Sequence, residues 1–209
     1  MNDWIVVDVE IQKCIGQEGL GWNDTDKLGI SVAVVYEFKS DRYLVYGDTP
    51  QEEERLQRRL MKADRISGFN IWKFDFPCIF RLPGRERVFP LLSKTDDLLR
   101  RIWLSLGLDP ESFGAKHRGW SLDNVAMSTI GQGKTGNGAD APKWYQAGDW
   151  AKLVEYCMDD VRIERDLALF VDKYGYVLNR HVGEGALKLS PWENGEAAAW
   201  QKPMDLVFR

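Results

Sequence analysis

Hydrophobic and polar positions follow two kinds of spacing along the chain. Alternation between neighbouring positions, as in IVVDVEI from residue 5 to residue 11, is typical of a strand with one polar face. On this basis strands are predicted over residues 5–11, 30–38, 42–46, 65–69 and 88–92. Apolar residues at intervals of three and four predict helices over residues 51–63, 96–106, 121–130 and 149–174, and a further helix from residue 76. This succession predicts an α/β domain with a mixed β-sheet flanked by helices.

The longest predicted helix carries two adjacent aspartates, Asp159 and Asp160. At about 100° per residue, its apolar stripe consists of Trp150, Leu153, Val154, Cys157, Val161 and Ala168. Asp159 lies opposite this stripe, where solvent is expected. Asp160 lies on the flank, about 80° from the centre of the stripe, one turn after Tyr156. A flank position points to the seam between helix and sheet, so Asp160 is the candidate metal ligand and Asp159 is a surface residue.

Three further acids occur where they could meet Asp160. Asp8 and Glu10 share one face of the first strand, which is compatible either with a pair of metal ligands or with a solvated strand face. Asp75 precedes Pro77 at the start of a predicted helix, where it could cap the helix, bind a metal, or do both. Carboxylates brought together in this way repel one another unless cations compensate them. Oxygen ligands favour Mg²⁺ or Mn²⁺ over zinc.

Composition limits the kinds of protein that this chain can be. Its 209 residues are 44% hydrophobic, which suits a single domain with a hydrophobic core. With 29% charged residues and a net charge of -4, the chain is not a polybasic nucleic-acid arm, so a nucleic-acid partner would be met by a local basic patch or through metal ions. Three scattered cysteines without a CxxC pair predict neither a disulfide framework nor a zinc site, and indicate a reducing compartment.

The N-terminal segment and the longest apolar runs bear on localisation. The segment MNDWIVVDVEI carries acids and lacks a basic region, so we do not expect it to be a signal peptide. No uninterrupted apolar run approaches the length of a membrane span. We therefore expect a soluble, cytoplasmic protein without a membrane partner.

A glycine-rich segment, GQGKTGNGADAP, spans residues 131–142. It lacks the spacing of a phosphate-binding loop and does not follow a hydrophobic strand. We expect a flexible loop here.

Three motifs in order resemble those of the DEDD superfamily of 3′–5′ exonucleases, which have an RNase H-like fold. The motifs of that superfamily are DxE, an Asn-x₃-Phe-Asp block, and either Tyr-x₃-Asp or His-x₄-Asp. This chain has VVDVE, then GFNIWKFD, then YCMDD. Tyr156 and Asp160 fit Tyr-x₃-Asp, whereas Glu155 stands where a histidine would be required. The chain therefore resembles the tyrosine subclass, DEDDy, and is similar to the exonuclease domains of family B DNA polymerases.

The resemblance extends over most of the chain. It implies one exonuclease domain over residues 1–209 with its motifs within residues 8–174, on an RNase H-like mixed β-sheet flanked by helices. Residues 175–209 form a C-terminal extension of unassigned role.

The resemblance also implies roles for the matching residues. Asp8, Glu10 and Asp160 would hold one Mg²⁺ or Mn²⁺ ion, which carries the attacking water. Asp8 would bridge to a second ion that Asp75 serves, and Tyr156 would orient the water. Two such cations stabilise the attacking and the leaving oxygens of an in-line displacement, and they neutralise the phosphate.

Residues around these motifs are candidates for substrate binding. Asn70 and Phe74 would line the path of the terminal nucleotides, and Trp22 could stack on a base. Lys134 is one of several candidate contacts to the phosphate backbone, together with Lys116, Arg118 and Lys143.

The resulting expectation is a metal-dependent 3′–5′ exonuclease that hydrolyses nucleic acid, with DNA favoured, from a single-stranded 3′ end. Replication or repair proteins are expected as further partners. Two alternatives stay open at this point: a catalytically weak module that binds nucleic acid or a polymerase, and an RNase H-like endonuclease. The presence of all four acids argues against a pure binding module, because negative charge opposes the binding of phosphates.

Overall fold

A mixed β-sheet forms the centre of the molecule. The computed structural model describes residues 2–81 and 89–192. The strands of the sheet are β1 Trp4–Ile11, β2 Ile30–Glu37, β3 Arg42–Tyr46, β4 Arg65–Gly68 and β5 Thr95–Asp97. Their order is β3-β2-β1-β4-β5; β1, β2 and β3 are antiparallel neighbours, whereas β4 and β5 run parallel to β1. The predicted α/β class with a mixed sheet is therefore confirmed.

Helices cover both faces of this sheet. They are α1 Pro50–Lys62, α2 Asp75–Phe80, α3 Phe89–Leu92, α4 Leu98–Ser105, α5 Leu122–Ile130, α6 Ala141–Gln146 and α7 Trp150–Tyr174. Within the described part of the chain, no helix combines the length and the apolar character needed to cross a membrane.

Alternation along β1 sets the two layers on either side of the sheet. Val7 packs into one core together with Leu56 of α1. Val6 points to the opposite face, where it packs with Leu153 of α7. Because side chains alternate along a strand, Asp8 lies on the same face as Val6 and is directed toward α7.

The C-terminal half of α7 belongs to another core beside the sheet. There Leu167 packs with Ile102 of α4 and Val125 of α5. The segment after α7 forms a hairpin of β6 Tyr176–Asn179 and β7 Glu184–Lys188, and it contributes Val177 to the same core. Of the predicted C-terminal extension, residues 193–209 lie outside the described residues.

Two sequence predictions fail between α2 and α5. Residues 89–92 form the short helix α3 and not part of a strand over 88–92, and residue 88 lies outside the described residues. The helix predicted over residues 96–106 begins at Leu98, because the preceding residues pair with β4 as strand β5. Buried Asp96 is tolerated in this strand because Arg101 and Arg65 contact its carboxylate at 2.9 and 2.7 Å. These two ion pairs offset the low strand propensity of aspartate.

The long helix α7 begins where the sequence predicts. Asp149 caps it by accepting a hydrogen bond from the backbone N–H of Lys152 at 3.4 Å. The predicted apolar stripe is wrong at its first residue, since Trp150 is 41% exposed and packs edge-on against Tyr145 of α6. The stripe extends instead toward the C-terminus, where Leu167 and Val171 are buried.

Candidate metal centre

Asp8 and Glu10 lie on a part of β1 that continues past the end of β4. The two strands pair only from Trp4 to Val6 on β1, so the segment carrying the two acids extends beyond this parallel neighbour. Asp8 is partly buried and Glu10 is buried. A carboxylate oxygen from each acid and the sulfur of Cys157 lie within 4.8 Å of one another. The strand therefore directs two acids into one small space against α7.

Asp75 reaches the same strand from α2. It is the first residue of that helix and is buried, and its Oδ1 accepts a hydrogen bond from the backbone N–H of Val9 at 3.0 Å. The carboxylate thus contacts β1 between Asp8 and Glu10. Burial, followed by the charge of Asp8, raises the pKa of Asp75 well above its usual value. The side chain is consequently part of the acid cluster and does more than start a helix.

Asp97 fixes the loop that leads from β4 to Asp75. Its carboxylate accepts hydrogen bonds from the backbone N–H groups of Asn70 at 3.0 Å and Trp72 at 3.2 Å. It also accepts from the backbone N–H of Arg100 at 3.2 Å and so caps α4. Asn70 has a φ of 67°, a left-handed conformation that asparagine adopts more readily than most residues. Sequence reasoning missed Asp97, because the residue was assigned to the interior of a helix.

Helix α7 presents three polar residues to the cluster at intervals of four. Tyr156, Asp160 and Glu164 are all buried; Asp160 is 1% exposed and Glu164 is 2% exposed. In the described residues, Asp160 Oδ1 and Glu164 Oε2 have no hydrogen-bond partner. The helical-wheel prediction that Asp160 turns inward is confirmed.

The neighbouring Asp159 is partly exposed but has partners of its own. Its side chain is 23% exposed and contacts Arg162 at 3.0 Å. Its Oδ2 accepts a hydrogen bond from Thr135 Oγ1 at 3.1 Å. Asp159 therefore attaches the glycine-rich segment to the outside of α7 and is less solvated than the sequence predicts.

Lys134 extends from the glycine-rich segment into the acid cluster. Its Nζ lies 2.5 Å from Asp160 Oδ2 and donates a hydrogen bond to the Tyr156 hydroxyl at 3.2 Å. The Lys134 backbone N–H donates to Asp123 Oδ1 of α5 at 2.8 Å. The lysine that sequence analysis assigned to the phosphate backbone thus occupies a fixed position beside Asp160.

The charges of the cluster are only partly balanced. Burial, together with the charge of Asp160, raises the pKa of Asp8 to about 7 although Lys134 opposes this effect. Burial also raises the pKa values of Glu10 and Glu164 well above normal, and it raises that of Asp160. For Lys134, burial lowers the pKa, but Asp160 and Asp8 outweigh burial and leave the pKa above its ordinary value. One ammonium group therefore faces several acids that would each be stabilised by further positive charge.

The residues fit a hard divalent cation. Carboxylate oxygens are the ligands that Mg²⁺ and Mn²⁺ prefer, and Asp160 Oδ1 is buried without a partner in the chain as described. The Cys157 thiol donates to Asp8 Oδ2 at 3.6 Å, and burial raises its pKa well above normal. Since thiols bind metals as thiolates, Cys157 is a poor ligand here and the donor set remains oxygen-based.

The residues predicted to bind substrate lie around the start of α2. Trp22 is 72% exposed, and its ring centroid is 6.5 Å from that of Phe74. Phe74 is partly buried and directly precedes Asp75. Asn70 is also partly buried in the loop that Asp97 holds. An exposed aromatic ring therefore lies next to the segment that carries one of the acids, while base stacking on Trp22 stays a prediction.

Comparison with known proteins leaves the site to be interpreted from its own geometry. No family of known proteins matches this chain, and no curated protein matches it.

Proposed function

We propose that this protein is a metal-dependent 3′–5′ exonuclease of the DEDDy type on an RNase H-like fold. The proposal depends on one observation. The Asp75 carboxylate of α2 contacts β1 between Asp8 and Glu10, and the charge of Asp160 on α7 acts on both of these acids. Asp160 Oδ1 is buried and has no partner in the described structure. A mixed sheet with helices on both faces agrees with the fold that the sequence resemblance implies.

The resemblance to DEDDy exonucleases assigns the acids to two ions. Asp8, Glu10 and Asp160 would hold one Mg²⁺ or Mn²⁺ ion, and Asp8 together with Asp75 would serve a second. When bound, the two ions supply the positive charge that stabilises the attacking and the leaving oxygens at the phosphorus. Asp75 is already held against β1 by its bond to the Val9 N–H, so its position does not depend on substrate.

Tyr156 and Lys134 would act beside the acids. The Tyr156 hydroxyl lies one helical turn before Asp160 and is suited to orient a water molecule for attack. Its ring is held by an edge-on contact with Trp144 of α6 at 5.4 Å between ring centroids. Lys134 holds Asp160 Oδ2 when no metal is bound and would compete with the ion for that oxygen.

The substrate would approach from the side of Trp22 and Phe74. An exposed tryptophan beside a partly buried phenylalanine offers a surface for stacking a base without selecting its identity. A terminal nucleotide held there would place its phosphate toward Asp75, and the divalent ions would compensate the net negative charge of the chain. A single-stranded 3′ end of DNA is the substrate that we propose.

Digestion of matched linear and circular DNA tests this function. A single strand labelled at its 5′ end should shorten stepwise from the 3′ end in Mg²⁺ or Mn²⁺ and release mononucleotides, while a closed circle of the same sequence survives. EDTA should abolish the reaction. Glu10→Gln should be inactive, whereas Glu155→Gln, the same exchange at an exposed residue of α7, should retain activity.

Other results of these digestions would assign a different function or mechanism. Cleavage of the circle would assign an endonuclease, and binding of DNA without cleavage would assign a binding module. Undiminished cleavage in EDTA would refute the metal mechanism. An RNA strand of the same sequence, digested in parallel, determines the preference between DNA and RNA.

A further inference from the structure

Glu164 is a buried acid to which neither the motifs nor the proposed reaction assigns a role. It is 2% exposed, and within residues 2–81 and 89–192 its Oε2 has no hydrogen-bond partner. Leaving a buried polar atom unpaired is unfavourable, and more so for a charged group. A glutamine or a leucine could fill such a position at lower cost if packing were its only task.

The position of Glu164 on α7 directs it toward the acid cluster. It lies one turn after Asp160 and two turns after Tyr156, and all three residues are buried on the same side of the helix. Side chains of an α-helix tilt toward the N-terminus, so that of Glu164 leans back over the turn that carries Asp160. Glutamate is also one methylene longer than aspartate and reaches farther into the seam between helix and sheet.

The electrostatic surroundings of Glu164 agree with this direction. Burial is the largest cause of its raised pKa, and the charges of Asp8, Asp75 and Asp160 follow in that order. These charges agree with a Glu164 side chain that turns from α7 into the acid cluster.

We infer that Glu164 is a fifth carboxylate ligand of the centre. The inference rests on the proposed function, because that function supplies the cations. It gives the unpaired Oε2 a partner and gives the centre a second ligand from α7. Asp160 and Glu164 would then bind the cations from successive turns of one helix.

Binding of Mn²⁺ to the full chain tests this role without any substrate. Calorimetric titration of metal-free protein gives the number of ions bound and their affinities, and electron paramagnetic resonance counts the free Mn²⁺ independently. The wild type should bind two ions. Glu164→Gln should lose one of them or bind it at least about tenfold more weakly, while the first site is unchanged. Glu155→Gln, the matched exchange at an exposed position of the same helix, should titrate like the wild type.

The outcomes separate this inference from the function on which it rests. Two unchanged sites in Glu164→Gln would overturn the inference and leave the exonuclease proposal intact. A wild type that binds no Mn²⁺ would overturn both. Should Glu164→Gln fail to fold by circular dichroism, Glu164→Asp replaces it: the shorter carboxylate should weaken one site only, and unchanged affinities at both sites would overturn the ligand role.

Discussion

The acid cluster should make the metal-free protein less stable as pH rises, and Asp8 is the residue through which this can be measured. Its pKa is raised in the folded protein from 3.8 to about 7, chiefly by burial and then by Asp160. The folded state therefore retains a proton on Asp8 that the unfolded chain releases near pH 4. The resulting stability is fully present below pH 4 and is lost as pH rises through about 7. The Asp8→Asn variant has no charge at this position at any pH and should avoid this loss of stability.

The size of the effect follows from the two pKa values. One unit of difference between the folded and unfolded pKa corresponds to about 1.4 kcal/mol. The rise of the Asp8 pKa from 3.8 to about 7 therefore limits the stability lost at high pH to about 4 kcal/mol. Asp8 is only partly buried, and neighbouring acids share its protons, so we expect about half of this ceiling, about 2 kcal/mol at pH 8. For a chain of this length that difference raises the melting temperature of Asp8→Asn by about 4–8 °C relative to the wild type. At pH 5 the stability that Asp8→Asn gains over the wild type should be about a third of its gain at pH 8.

Thermal unfolding in EDTA at pH 5 and pH 8 measures this gain. The comparison is between Asp8→Asn and the wild type at each pH, so that titration of the groups outside the acid cluster cancels. Asp64→Asn, the same exchange at an exposed residue outside the cluster, is the matched control. A gain that is equal at the two pH values, or a variant less stable than the wild type at pH 8, would refute the reasoning.

Variants of α7 and of the glycine-rich segment give further predictions. Asp160→Asn should lower turnover in saturating Mg²⁺ by at least about 10³-fold, whereas Asp159→Asn should leave turnover nearly unchanged and alter the free energy of unfolding by about 0.5 kcal/mol or less in urea titration. Tyr156→Phe should lower turnover by about 10–100-fold with unaltered Mn²⁺ affinity, because it removes only the hydroxyl that we propose to orient water. Lys134→Met should bind Mn²⁺ more tightly in calorimetry, because the ion no longer competes with an ammonium group for Asp160 Oδ2; weaker binding would contradict this account.

Local periodicity was sufficient to predict the orientation of the acids on β1 and α7. Alternation along β1 directs Asp8 and Glu10 to one face, and the helical wheel turns Asp160 inward. Both results depend on the geometry of a single element, which the sequence alone determines. The ends of the elements were predicted less well where distant residues decide them, as for β5, which pairs with β4 and whose buried Asp96 contacts Arg65 of that strand.

The position of Lys134 lies beyond any local pattern. A glycine-rich segment without phosphate-loop spacing predicts flexibility, and nothing in it indicates which helix it contacts. Its attachment depends on acids elsewhere in the chain: Asp123 accepts from its backbone, while Asp159 and Asp160 contact Thr135 and Lys134. Only the folded chain brings these partners together. The sequence alone could therefore not predict that Lys134 supplies a positive charge within the acid cluster.

Glu164 is the opposite case, because the sequence contained a signal for it. On the same wheel Glu164 lies about 40° from the centre of the apolar stripe, closer than Asp160 at about 80°. An acid at this depth in an apolar face is stabilised by a basic side chain, by a bound proton or by a metal cation. The wheel cannot distinguish these three, since the choice depends on which side chains β1 and α2 bring opposite. In the folded chain the charges that raise the pKa of Glu164 after burial are those of Asp8, Asp75 and Asp160, and Lys134 opposes them less strongly. That leaves a proton or a cation, and titration with Mn²⁺ decides between the two.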